Sequence, residues 1–278
     1  MNKLIILGVG LIVLAQPALA QPGGYRDNRY RNEMQTGAPP EGAPIAKGVP
    51  RGPGSLTGVW ANLDLDREPA NDDPTRTADG TPVPLQIWAL RVMLGRAADE
   101  GDGHPYADSS SRCLPSGVPQ MMTEPRGAGI RFIEDAATVT ILFEQFTNWR
   151  QVFLTDKHRP DGPPTYMGDS IGRWQGDTFV IETTNIDTDQ DVQGFPHTDK
   201  LKITERLRRV SKDRLELKTT IDDPGTFTRP WNLPRRTLRL QAGVKLAEAL
   251  CTNQRNAPDA DGFTGVQAPR PSSELPPE

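Results

Sequence analysis

Between Trp174 and Thr183 the chain spells out a hairpin. Gly176 and Asp177 supply the turn, and Thr178-Phe179-Val180-Ile181-Glu182-Thr183 alternates into a second strand. Turn residues followed by β-branched and aromatic residues at period two are a strong local strand signal. The same pattern recurs on both sides. Strands are predicted at 129–133, 138–144, 148–154, 201–210, 215–221 and 236–240, with a first short strand from Gly58. One segment, Pro84 to Gly95, reads as a helix, with Pro84 in its first turn, Gly95 at its end, and Leu85, Trp88 and Val92 on one side.

Successive strands with no helix between them must bury their apolar face against a second sheet or by closure. The fold class expected is mainly β: an antiparallel, lipocalin-like β-barrel with one N-terminal helix. A sandwich is the alternative. No internal repeat points to a propeller.

The termini read differently. Residues 1–20 carry Lys3, an apolar run and Ala18-Leu19-Ala20, the pattern of a cleaved secretory signal peptide. Residues 21–55 are rich in Gly and Pro and read as a flexible leader, 56–256 as one domain, and 257–278 as a flexible tail. Localisation is expected to be periplasmic or secreted. Lys and Arg number 32 against 36 Asp and Glu, a balance that argues against nucleic acid or an anionic membrane as partner. Stable membrane insertion is not expected. Cys113 and Cys251 are the only cysteines, and an even count in an exported chain favours one disulfide between them.

The stretch Gly168-Asp169-Ser170-Ile171-Gly172-Arg173-Trp174-Gln175-Gly176-Asp177-Thr178 resembles the signature of a family of exported bacterial proteins with a lipocalin-like fold. Cys113 to Pro119, Phe195-Pro196-His197-Thr198, Glu205 to Arg208 and Thr220 to Pro224 add to the likeness, which spans about residues 110–255. The chain departs from the family in carrying Tyr166 where a Trp is common and Glu182 where an Asp is common. The resemblance implies the barrel and brings no reaction with it.

Glu205 is the sharpest chemical candidate. It shares a strand face with Leu201, Ile203 and Leu207, so it should point into the barrel. An inward carboxylate can act as a general acid or base, with His197 or Asp169 as its partner. The alternative is a structural ion pair with an inward arginine such as Arg150. Glu144 and Arg150, if both inward, would give the interior a polar floor suited to a ligand with an oxygen function; otherwise they form an outer-face salt bridge. Tyr166, His158 and Trp149 complete the ligand-binding candidates. Ser170 lacks the strand–turn–helix context of a nucleophile elbow and is read as a loop-closing residue. No phosphate loop or nucleotide fingerprint appears, so no cofactor is expected, and the histidines lack metal-ligand spacing. The function expected is binding of a small, mostly apolar organic molecule. The alternatives are an acid–base enzyme (lyase, isomerase or hydratase) and an envelope structural or interaction protein.

Overall fold

The computed structural model describes residues 55–61, 73–104, 106–123, 129–159 and 162–249, all within one compact unit, Ala38–Glu278. Ten strands form one sheet: β1 (Gly58–Ala61), β2 (Gly129–Glu134), β3 (Thr138–Phe143), β4 (Asn148–Phe153), β5 (Asp169–Gln175), β6 (Thr178–Thr184), β7 (Lys202–Arg209), β8 (Arg214–Asp222), β9 (Trp231–Asn232) and β10 (Arg236–Leu240). β10 pairs with both β8 and β1, which closes nine strands into a barrel and leaves β9 as a short addition beside β8. The expected mainly β barrel is therefore present. No helix among the described residues is long and apolar enough to cross a membrane.

One pair departs from a purely antiparallel meander. β4 and β5 run parallel, registered through Val152 with Ser170 and Phe153 with Ile171. Parallel neighbours need a long return of chain, and residues 154–168 supply it. The predicted hairpin forms as read. Gln175 pairs with Thr178 across a two-residue loop, and Gly176 has φ +64°, the Gly-first pattern of a type II′ turn.

The helix differs from its prediction. α1 spans Ile87–Gly101 rather than 84–95. Pro84 and Leu85 stay outside because the chain before the helix is tied in extended form, with the Gln86 amide donating to Thr226 O and Leu85 bridging Phe227. Gly95 faces open space inside the helix, so nothing stops the helix there. Asp102, Gly103 and His104 amides donate to its last carbonyls. Its buried face is Ala89, Val92 and Arg96. A short helix, α2 (Gln120–Thr123), was not expected.

Inward residues fall into two apolar clusters. One gathers Leu56, Trp60, Phe132, Ile141, Phe179, Leu207, Leu217 and Leu238 among others, with Met121 and Met122 of α2. The other gathers Ile203 and Ile221 with Val118, Phe195, Phe227 and Trp231. Trp60 donates its indole N–H to Leu56 O at 2.7 Å. That segment is held by Glu134, whose Oε2 accepts from the Ser55 hydroxyl (2.6 Å), the Leu56 and Thr57 amides (both 3.0 Å) and the Thr57 hydroxyl (2.8 Å). Hydrogen bonds to a charged group are among the stronger ones. Glu134→Ala should cost about 2 kcal/mol in urea denaturation and speed hydrogen exchange at the Leu56 and Thr57 amides. Unchanged exchange there would contradict the clamp.

Candidate functional site

On the inward faces of β4 to β8 one position each breaks the apolar pattern, and these positions are neighbours. β6 presents Phe179, Ile181 and then Thr183; β7 presents Ile203, Glu205 and Leu207; β8 presents Leu215, Leu217, Thr219 and Ile221, all buried. Arg150 from β4 and Ser170 from β5 complete the set. Thr183 registers with Ser170 and Glu205 with Thr219, so strand pairing alone places them side by side. The result is a polar layer inside the barrel. Ile181, Leu207 and Leu217 of the first cluster lie to one side of it along the strands, and Ile203 and Ile221 of the second to the other.

Arg150 is the hub. Its Nη1 lies 2.7 Å from Glu205 Oε2, with both side chains at most 1% exposed. Its Nε donates to Ser170 Oγ at 2.9 Å and its Nη2 to Thr183 Oγ1 at 2.5 Å, while Ser170 and Thr183 are joined at 3.1 Å. Glu205 Oε1 and Thr219 Oγ1 are buried with no hydrogen-bond partner among the described residues. Burying a polar atom without a partner costs free energy, so these two atoms mark a place where the barrel is not self-sufficient.

The other predicted residues lie elsewhere. Asp169 sits next to Ser170 on β5, so it faces out of the barrel where Ser170 faces in. It does not meet Glu205. Instead His158 Nδ1 lies 2.9 Å from Asp169 Oδ2, and Arg159 holds Asp169 through its amide (3.0 Å), Nε (3.0 Å) and Nη2 (2.9 Å). His158 Nε2 lies 3.4 Å from Glu182. The group fastens the 154–168 connection to the outer wall. Burial alone would raise the Asp169 carboxyl, but hydrogen bonds from His158 and Arg159 and the guanidinium charge outweigh it and hold it below its usual 3.8.

A depressed folded value means that Asp169 stabilises the fold above the unfolded carboxyl range and that this contribution is lost as pH falls through the folded value. Asp169→Asn should therefore lower Tm at neutral pH and match the parent more closely below about pH 4. Parallel Tm curves of the two proteins from pH 7 to 2.5 would refute this.

His197 is fully buried in the connection before β7, with its Nδ1 2.9 Å from Thr198 O. Thr198 is in turn gripped by Asp223 through its amide (2.7 Å) and hydroxyl (2.6 Å). Glu144 does not join Arg150 in the interior. β3 ends at Phe143, and Phe143 rather than Leu142 faces inward, so the expected parity is reversed there. Glu144 accepts from the Gly129 and Ala247 amides at 2.6 and 3.2 Å. Burial pushes its carboxyl up, against the pull of those two amides. Tyr166 donates to Asp189 at 2.8 Å; burial first, then Asp189, push its hydroxyl to about 12. Trp149 is 57% exposed and points outward beside inward Arg150. Of the ligand-binding candidates only Arg150 lies in the polar layer.

Ser170, Thr183 and Thr219 are the residues that the chain's reading left out of the site. Ser170 closes no loop; it lies in a strand and binds Arg150. The signal for the two threonines was present: each holds a position where strand parity calls for an apolar side chain. Cys113 follows a short 3-10 turn, while Cys251 lies outside the described residues. No group of three or more His, Cys, Asp or Glu that could hold a metal ion occurs among the described residues. No family model matches the chain, and no curated protein or solved structure matches it significantly.

Proposed function

We propose that this protein is an exported β-barrel that binds a small, mostly apolar organic molecule in its interior, and that it is kin to the exported bacterial family its signature resembles. The observation that supports this most is the polar layer: a charged pair and three hydroxyl-bearing neighbours, Ser170, Thr183 and Thr219, set among apolar walls, with Glu205 Oε1 left unpartnered among the described residues. Ligand sites are typically apolar with a few placed polar groups. The acid–base alternative has less support, because Asp169 lies on the other face of the wall and is engaged by His158 and Arg159.

Native mass spectrometry of protein purified from its host tests the reading. A co-purified mass that is released on unfolding supports it; bare protein, together with failure of a fragment library to bind, overturns it. Export and the Cys113–Cys251 disulfide belong to the same proposal. They predict an intact mass for residues 21–278 that is two hydrogens short of the reduced chain. A mass that retains residues 1–20, or that is unchanged by reductant, would contradict them.

A further inference from the structure

The geometry points to a neutral ligand that presents one hydroxyl or N–H donor to Glu205 and Thr219. This inference rests on the binding reading above and narrows it. Arg150 already has three partners, Glu205, Ser170 and Thr183. The layer's atoms with neither a hydrogen bond nor an ion pair among the described residues are a carboxylate oxygen, Glu205 Oε1, which only accepts, and a hydroxyl, Thr219 Oγ1, which does both. The complement to that pair is a donor. Arg150 and Glu205 also cancel each other's charge, so an ionic ligand would bring a charge into the barrel with no counter-charge to meet it. The body of the ligand is apolar because the layer's neighbours along the strands are Ile181, Leu207 and Leu217 on one side and Ile203 and Ile221 on the other.

Space for such a body is most easily made on the methionine side. The segment 118–122 crosses the same boundary as the polar layer, with Val118 in the second cluster and Met121 and Met122 in the first. Met167 packs against both clusters and Met93 against the second. Methionine is unbranched and polarisable, and it repacks around varied partners at low cost. Leu56 and Trp60, in the same cluster as Met121 and Met122, are instead held in place through Glu134 and the Trp60 indole. A ligand therefore reaches Glu205 by displacing thioether side chains rather than by freeing the clamped Leu56–Trp60 segment.

Calorimetric titration of the full chain with matched probes tests this. Phenol and cyclohexanol are compared with toluene and methylcyclohexane, and with benzoate and benzylamine as ionic controls. The alcohols should bind at least about tenfold more tightly than the hydrocarbons. In Thr219→Val that gap should narrow, with hydrocarbon affinity unchanged. In the double variant Arg150→Met with Glu205→Leu it should narrow further, because the carboxylate that accepts the donor is gone. Near-UV circular dichroism confirms that each variant keeps its native packing. Equal affinity for alcohol and hydrocarbon overturns the donor preference and leaves interior binding standing. Tighter binding of benzoate or benzylamine than of phenol overturns neutrality. Binding of none of the six overturns both this inference and the reading beneath it.

Discussion

Glu205→Leu alone should destabilise the barrel by about 3–5 kcal/mol, whereas adding Arg150→Met should restore most or all of that loss. The single change leaves the Arg150 guanidinium in an interior where its side chain is 1% exposed, with two hydroxyls and no counter-charge. Removing one partner of a buried pair exposes the full desolvation cost of the other. The double change removes both charges and merges the two apolar clusters, and the volumes are similar enough to pack. A pair kept for stability would make the double variant as weak as the single one. A pair kept for a ligand leaves the double variant as stable as the parent but with a weaker preference for alcohols. Urea denaturation followed by far-UV circular dichroism distinguishes these cases. A double variant as unstable as Glu205→Leu would show that the pair holds the fold together on its own account.

The second large effect falls on the signature. Gly168→Ala should cost about 2–4 kcal/mol, from roughly 1–2 for the left-handed backbone and the rest from crowding. Gly168 has φ +62°, and a Cβ there would lie 2.6 Å from both Thr184 O and Thr183 Cγ2. Gly176 is the control. Its φ is +64°, but a Cβ there would meet nothing within 4 Å. Gly176→Ala should therefore lose only the backbone part, about 1–2 kcal/mol, and any excess loss at Gly168 reports the contact with β6. Equal losses would show that backbone conformation alone explains Gly168. Gly172 belongs to the same signature for a third reason: a Cβ there would come within 2.5 Å of Phe179 Cζ and 2.7 Å of Val152 Cγ1. The signature is thus explained by turn geometry and close packing where β5 leaves its connection and meets β6. Its polar members divide between the two faces of the wall, Ser170 inward and Asp169 outward.

The strands were legible because their information is local. Alternation at period two marked β2 to β4, β6 to β8 and β10 within a residue or two, and the Gly176-Asp177 turn fixed where β5 ends and carried its own geometry. Inward Glu205 followed from the same parity; an ion pair with an arginine such as Arg150 was one alternative, and the structure shows that pair. Where parity shifts, the reading failed. Glu144 leaves the strand and binds the Gly129 amide, and no period-two pattern records where a strand stops. β9, with two residues, carries no period at all.

The sequence by itself determined that this chain forms many short strands, where its best hairpin turns, and that Glu205 points inward, because side-chain alternation is a property of the backbone. Only the tertiary structure decided that β4 and β5 run parallel, that β10 closes the barrel against β8 and β1, and that Thr183 and Thr219 join Glu205 while Asp169 joins His158. Those outcomes depend on how far a connection carries the chain and on which strands register across the wall. Both are set by packing between residues far apart in sequence, and no local period encodes them.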